Sequence, residues 1–282
     1  MRILYFGDVV GRSGRDALLT ALPDLRRRLA LDFVVVNGEN AAAGFGITGK
    51  ICAEFYAAGV DVVTLGNHSW DQRETLGYID GDPRLLRPHN YPKGTPGRGV
   101  GTFSTAPGST ASGKRVAVVH VMGRLFMDPL DDPFATVATE LAKLTLGGSV
   151  DAILVDIHAE ATSEKMAMGH FCDGRVSIVV GSHCHVPTAD AQILPGGTAY
   201  QTDAGMCGDY NSVIGMDKAE PLTRFTRKIP SGRLAPADGP GTICGVFVET
   251  DERTGLARRV AALRQGPRLA PAWPLELVDL PA

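Results

Sequence analysis

Short apolar runs rich in β-branched residues recur along the chain, and each ends in a polar or glycine-rich turn. The first three are Ile3–Phe6, Phe33–Val36 and Asp61–Leu65, and segments with helical spacing separate them at Asp16–Leu29 and Gly49–Ala58. Because strand–helix–strand units form right-handed crossovers, this order predicts a mostly parallel sheet covered by helices. Later runs that we assign to strands are Gly101–Ala106, Arg115–Val121, Ala152–Ile157, Val176–Val180, Thr198–Asp203, Thr242–Glu249 and Ala257–Leu263.

Three further segments have helical spacing, at Pro133–Leu146, Glu164–His170 and near Lys218–Arg224. No linker-like stretch divides the 282 residues, a length that suffices for one domain with a large core. We therefore predict a single domain over residues 1–282. From about Gly266 the chain is rich in proline, which predicts a tail that follows the surface.

The formal net charge of −3 gives no overall positive field to hold nucleic acid or an anionic membrane. No apolar stretch is long enough to span a bilayer, and the N-terminal sequence does not resemble a signal peptide. The five cysteines include no C-x-x-C pair, so neither a disulfide framework nor a zinc ribbon is indicated. We expect a cytoplasmic protein.

Side chains of metal-binding types follow five of the predicted strands. His183 and His185 follow the run Val176–Val180 after Gly181 and Ser182. A His-x-His pair at this position could chelate a metal ion, but it could equally be two solvated histidines on a loop. In open α/β sheets, ligands bind at the carboxyl ends of the strands. We therefore expect the polar residues at the other strand ends to converge there as well, and these are Asp8, Glu39, Asn40, Asn67, His68 and His158.

Each of these residues alone has another explanation. Asp8 suits a helix N-cap, the "NGEN" segment suits a turn, and Asn67 suits a left-handed turn. Recurrence at successive strand ends favours a metal site. Imidazole, carboxylate and amide donors without an obvious thiolate suit Mn²⁺, Fe, Zn²⁺ or Co²⁺, and the number of donors suffices for two ions that share a carboxylate. Cys184 is interpreted as a packing residue.

The succession of "GD", "GEN", "GNH", a lone His158 and "GSHCH" resembles the signature of the calcineurin-like metallophosphoesterases. Two departures narrow the resemblance to the YmdB-like family. Val10 stands where the superfamily usually has histidine, and Glu39 stands where it usually has a bridging aspartate. The resemblance implies a four-layer α/β/β/α sandwich of two mixed sheets flanked by helices.

The resemblance also implies a dinuclear metal centre bridged by Glu39, with His68 as the general acid. Fe or Mn would be the favoured metals, with Zn or Co also compatible. The other ligands would be Asp8, Asn40 and His185 for one ion, and Asn67, His158 and His183 for the other.

The activity implied is hydrolysis of 2′,3′-cyclic mononucleotides, with 3′,5′-cyclic nucleotides as further substrates, by a hydroxide shared between the ions. A monoesterase or nucleotidase on the same fold is one alternative. A catalytically idle scaffold is another, and Val10 is the residue that favours it. The expected partner is a small cyclic nucleotide, and a homo-oligomer is compatible with the sequence.

Overall fold

The computed structural model describes residues 1–105 and 109–274 and contains fourteen strands and six α-helices there. In chain order these are β1 (Arg2–Phe6), β2 (Asp8–Val9), α1 (Gly11–Arg28), β3 (Phe33–Asn37), α2 (Gly49–Ala58), β4 (Val62–Thr64), α3 (Thr75–Tyr78), β5 (Leu85–Leu86), β6 (Val100–Ser104), β7 (Arg115–Met122), α4 (Pro133–Leu141), β8 (Ala152–His158), α5 (Thr162–Cys172), β9 (Ile178–Ser182), β10 (Gln192–Ile193), β11 (Ala199–Gln201), β12 (Met206–Cys207), α6 (Ala219–Arg227), β13 (Ile243–Thr250) and β14 (Ala257–Gln265).

Two six-stranded sheets carry the fold. The first has the order β14-β13-β1-β3-β4-β5, and the second has the order β10-β11-β9-β8-β7-β6. The central strands run parallel in both sheets, as in the β1–β3 and β8–β9 pairs, whereas β13 is antiparallel to β1 and β6 is antiparallel to β7. Both sheets are therefore mixed, as the resemblance implied.

Alternation along β1 shows how the layers form. Ile3 and Tyr5 belong to the apolar core between the sheets, whereas Leu4 and Phe6 belong to the core beneath α1 and α2. Successive side chains of a strand point to opposite faces, so one strand with both faces apolar is covered by a sheet on one side and by helices on the other. A third core covers the outer face of the second sheet with α4 and α5. The predicted four-layer sandwich is confirmed.

The two-residue strands β2, β5, β10 and β12 were not predicted, and the boundaries of the predicted elements differ mainly at helix ends. α1 begins at Gly11 rather than Asp16, and α4 ends at Leu141 rather than Leu146. The predicted strand Gly101–Ala106 is observed over Val100–Ser104, and its last predicted residue lies outside the described residues. Apolar periodicity marks the buried face of an element but not where its hydrogen bonding starts and stops.

The C-terminal tail is described as far as residue 274. Ala272 pairs with Arg264 of β14, and the Arg28 guanidinium lies 4.3 Å from the centre of the Trp273 ring. This part of the tail follows the surface of the first sheet and α1, while residues 275–282 fall outside the described residues. Among the described helices, none combines the length and the apolar character needed to cross a membrane.

Candidate metal centre

The predicted polar residues meet where the carboxyl ends of β1, β3, β4, β8 and β9 share one rim. The parallel pairing within each sheet brings consecutive strand ends to the same edge. The two sheets are joined there directly, because the His183 backbone N–H donates to Asp8 Oδ2 over 3.1 Å. Side chains from distant segments therefore surround one small volume. We call this edge the metal rim, and its candidate ligands are Asp8, Glu39, Asn40, Asn67, His158, His183 and His185.

One group of potential ligands centres on His158. Its Nε2 lies 3.1 Å from Glu39 Oε1, 2.9 Å from Asn67 Oδ1 and 3.2 Å from His183 Nδ1. Three electron-pair donors about 3 Å from a fourth have the spacing of neighbouring ligands on one ion, since transition metals bind nitrogen and oxygen at ~2.0–2.2 Å. The ligand atoms of Glu39, His158 and His183 lie within 4.8 Å of one another.

A second group shares Glu39 and adds Asp8 and His185, again with all ligand atoms within 4.8 Å of one another. His185 Nε2 lies 4.0 Å from Asp8 Oδ1 and 3.2 Å from Asn40 Oδ1. The Val10 side chain is buried and carries no donor. The amide oxygen of Asn40 is thus the fourth donor atom on this side. Glu39 belongs to both groups, as a bridging carboxylate would.

His68 lies beside the two groups of potential ligands and belongs to neither. Its backbone N–H donates to Glu39 Oε2 over 3.1 Å, and its ring Nδ1 lies 2.8 Å from Asp71 Oδ2. The Phe45 ring contacts the imidazole edge-on at 5.1 Å between centroids. The side chain remains partly exposed, so it borders the metal rim and solvent at once. The sequence did not single out Asp71, although it lies three residues after His68.

The carboxylates of Asp8 and Glu39 are buried together, but their surroundings shift their pKa values in opposite directions. Burial, and then the nearby charge of Glu39, raises the pKa of Asp8 well above its usual value. Burial is also the largest single influence on Glu39 and acts in the same direction, but the charge and hydrogen bond of His158 together with those of His68 outweigh it and hold the pKa of Glu39 well below its usual range. A second positive charge close to Asp8 would let both carboxylates ionise.

The residues present fit metal ions on three observations. Asp8 Oδ1 is buried and has no hydrogen-bond partner among the described residues. Burial lowers the pKa of His183 to about 3 and lowers the pKa of His185, so both rings are neutral near pH 7 and offer lone pairs. A Cβ at Gly66 would clash with Glu39 Oε2 and His158 Nε2, so only glycine at this position lets these two candidate ligands approach each other.

A buried polar network contacts His158 at Nδ1, the ring nitrogen away from Glu39 and Asn67. Its Nδ1 lies 2.9 Å from Ser182 Oγ, which donates to Asp156 Oδ1 over 2.9 Å. The other oxygen of Asp156 accepts hydrogen bonds from Tyr5 and Thr64. This arrangement leaves His158 Nε2 as the nitrogen that faces the centre. Asp156 was not identified from the sequence as a supporting residue. It could have been found from the sequence, because it is an acidic residue inside an otherwise apolar strand, two positions before His158.

The His-x-His segment is not extended, and a buried ion pair holds it. His183 and His185 have φ values of 97° and 63°, a region that non-glycine residues rarely adopt. The Cys184 N–H between them donates to Asp203 Oδ2 over 3.0 Å, and the same oxygen accepts from Lys165 Nζ over 2.7 Å. The Cys184 thiol contacts Lys165 rather than the metal rim, in agreement with its interpretation as a packing residue.

The fold and this rim define the class: two face-to-face mixed sheets, with imidazoles, carboxylates and amides gathered where their parallel strands end, are the architecture of the calcineurin-like metallophosphoesterases. The sequence profile of the YmdB-like proteins matches residues 4–263, and the chain belongs to that family.

Relatives share this fold over nearly the whole chain. A Bacillus subtilis protein named 2′,3′-cyclic-nucleotide 2′-phosphodiesterase is 46% identical over 263 residues, which cover 92% of this chain and 95% of the relative. A crystal structure of a hypothetical protein from Thermus thermophilus superposes with a TM-score of 0.86 at 41% identity, covering 94% of this chain and 99% of the other. A crystal structure described as a novel phosphatase from Mycoplasma pneumoniae gives 0.85 at 31%, covering 94% and 93%.

Proposed function

We propose that the protein is a metal-dependent phosphodiesterase that opens 2′,3′-cyclic phosphates of ribonucleotides. The observation that carries the proposal is the crowding of three electron-pair donors around His158 Nε2. Beside them lies the second group of potential ligands, Asp8 and His185, which shares Glu39 with the first. The name of the Bacillus relative supports the choice of substrate and of the bond that breaks. In that reaction a water oxygen bonds to phosphorus, the bond from phosphorus to O2′ breaks, and O2′ takes a proton, leaving a 3′-phosphate.

The proposed centre holds two ions. When bound, they would neutralise the charge of the phosphodiester and lower the pKa of water so that hydroxide is available near neutral pH. Mixed imidazole, carboxylate and amide donors favour iron or manganese, and zinc or cobalt are compatible. Asp8, Asn40 and His185 would hold one ion, Asn67, His158 and His183 would hold the other, and Glu39 would contact both.

His68 is proposed as the group that gives the leaving oxygen its proton. If Nδ1–H donates to Asp71, the Nε2 of His68 is the nitrogen left to carry and transfer a proton. The backbone hydrogen bond from His68 to Glu39 keeps the ring next to the shared carboxylate. General acid catalysis of this kind contributes about 10²–10⁴-fold to the rate.

Hydrolysis of 2′,3′-cyclic AMP by the manganese- or iron-loaded protein tests the proposal. We expect 3′-AMP as the product, and we expect His68→Ala to lower kcat by about 10²–10⁴-fold. Faster hydrolysis of p-nitrophenyl phosphate than of the cyclic nucleotide would favour the monoesterase alternative. Loaded protein that hydrolyses none of these substrates would favour the scaffold alternative. Parallel assays with 3′,5′-cyclic AMP decide whether that isomer is also a substrate.

We propose a reducing cytoplasm as the setting of this reaction. All five cysteines are free thiols, and four of them are buried in the core. Burial raises the pKa of the Cys172 thiol to about 12 and that of Cys244 to about 11, so these groups behave as inert packing residues rather than as disulfide partners. Thiols maintained in this state are typical of proteins that fold where glutathione and thioredoxin are reducing.

A further inference from the structure

A positively charged segment follows the His-x-His region and stands out against the charge of the whole chain. Residues 217–234 contain five lysines and arginines and two acidic residues, a local net charge of +3, whereas the chain as a whole carries −3. A local cluster of this kind attracts phosphates even when the overall field does not. We call residues 217–234 the basic segment; it includes α6.

Several cations of the basic segment are free to meet a ligand. Arg224 is held by Glu220 over 2.7 Å, so its charge is already balanced. Arg227 and Arg233 form no hydrogen bond or ion pair through their side chains within residues 1–105 and 109–274, and Lys228 contacts only the Phe225 ring, at 5.9 Å. Phe225 itself is 69% exposed. An exposed aromatic ring among unpaired cations is the combination that binds single-stranded nucleic acid.

The basic segment lies next to the metal rim. The carbonyl of Ile214, just before it, lies 2.7 Å from His185 Nδ1. A Cβ at Gly44, in the loop that follows Asn40, would contact Met216 and Pro236, which flank the segment on either side. The residues that flank the basic segment are therefore packed against His185 and against the loop that follows Asn40.

An open cavity of about 450 Å³ lies where the loop that follows Asn40 meets the basic segment. Its lining includes Ala42, Phe45 and Gln72, and the Phe45 ring contacts His68. Arg224, Arg233 and Leu234 of the basic segment also line it. The volume lies within the range of ligand sites, about 300–1,000 Å³, and suits a nucleotide. A ligand that extends from His68 to Arg233 would place a further phosphate or base beside Arg233.

We propose that the substrate class extends to RNA fragments that end in a 2′,3′-cyclic phosphate, with the preceding nucleotide in this cavity and its backbone phosphate near Arg233. The inference rests on the proposed function, since it keeps the same bond cleavage at the metal rim. A terminal 2′,3′-cyclic phosphate has the same chemistry on a mononucleotide and on an RNA end. Only the longer ligand brings an additional phosphodiester charge and a further base to the unpaired cations.

Hydrolysis of a triadenylate with a terminal 2′,3′-cyclic phosphate, compared with 2′,3′-cyclic AMP, tests the inference. We expect the wild type to prefer the trinucleotide by about 10-fold in kcat/KM, as one stacked base or one phosphate contact would give. Arg233→Gln should remove most of this preference while changing the mononucleotide value less than about twofold. The preference should also decrease as salt rises from about 50 to 200 mM.

Arg253→Gln is the matched control, because Arg253 is an exposed arginine in the turn between β13 and β14, at the edge of the sheet opposite the metal rim. It should leave both substrates unchanged. Equal kcat/KM for the two substrates in the wild type, or an equal effect of Arg233→Gln on both, would overturn the inference while leaving the proposed function intact.

Binding of the product-like triadenylate 3′-phosphate, followed by fluorescence anisotropy, does not depend on turnover. Weaker binding to Arg233→Gln than to wild type and Arg253→Gln supports the inference even if the proposed hydrolysis fails. Indistinguishable binding by the three proteins overturns it.

Discussion

Ser182 Oγ lies 2.9 Å from His158 Nδ1 and fixes the orientation of this buried candidate ligand. The serine hydroxyl donates onward to the carboxylate of Asp156, so the imidazole N–H has an acceptor and the opposite nitrogen is left with its lone pair toward Glu39 and Asn67. Outer partners of this kind fix the tautomer and the orientation of metal-binding histidines.

Removing that hydroxyl should weaken metal binding. We expect Ser182→Ala to lower manganese affinity at the His158 site by about 10–100-fold, because the ring loses the acceptor that fixes its tautomer. Isothermal titration calorimetry on metal-stripped protein measures the change. Ser177→Ala is a matched control, since Ser177 is a buried serine that bonds Gly255 away from the rim. Equal affinities in the two variants would show that Ser182 does not orient the ligand.

Glu39 should be needed for both ions, because it belongs to both groups of ligand atoms. We expect Glu39→Gln to bind less than one manganese per chain and to lose more than about 100-fold in kcat, which exceeds the loss from an outer partner alone. Metal analysis by mass spectrometry and the cyclic-AMP assay measure these quantities. Glu140→Gln, at a carboxylate that pairs with Lys143 and His89, should leave both unchanged. Retention of two ions by Glu39→Gln would exclude a shared carboxylate.

Asp8 should destabilise the metal-free protein. Because burial and Glu39 raise the pKa of Asp8 in the folded state, the folded protein holds a proton that the unfolded chain releases. Its free energy of unfolding is therefore expected to fall as pH rises from the usual aspartate range through the raised pKa, and to stay low above it. Asp8→Asn should make the metal-free protein more stable at pH 7 by ~1–3 kcal/mol.

The same variant should lose the response to metal. Urea unfolding with and without manganese measures both effects, and the wild type should gain more stability from the ion than Asp8→Asn. A wild-type protein whose metal-free stability does not change with pH in this way, or an Asp8→Asn variant that gains as much from manganese, would contradict the prediction.

The Lys165–Asp203 pair should stabilise the strained His-x-His segment. Both side chains are buried, and Lys165→Met leaves an unpaired carboxylate that should lower the free energy of unfolding by ~3–5 kcal/mol. The double variant Lys165→Met/Asp203→Leu should recover part of this loss, because no isolated charge remains. Chemical denaturation of the wild type, the two single variants Lys165→Met and Asp203→Leu, and the double variant gives the coupling energy. Additive losses would mean that the two side chains do not interact.

The positions of the longer strands along the chain and the types of the candidate ligands could be predicted from the sequence because both are local patterns. Val34 and Val36 alternate with Phe33 and Val35, and Glu39 follows two residues after the last strand residue, so one short segment shows a strand, its buried faces and a polar group at its end. The predicted site residues all lie at or beside the rim. Their roles as ligands and acid remain predictions until metal binding and turnover are measured.

Supporting contacts could not be predicted in this way, because they join residues that are far apart in the chain. Asp156 accepts from Tyr5, 151 positions earlier, and Asn40 lies 145 positions before His185, to which it is 3.2 Å away. No periodicity links such pairs. The left-handed backbone at His183 and His185 was also missed, since a strand pattern predicts extended neighbours.

The sequence by itself determined where the longer strands lie, which groups stand at their ends, and the family to which the chain belongs, because hydrophobic alternation and short motifs are written in consecutive residues. Only the tertiary structure decided that these strand ends share one rim, which carboxylate belongs to both groups and which side chains orient the histidines. Those facts depend on how two sheets pack, and packing is fixed by the burial of side chains from the whole chain at once.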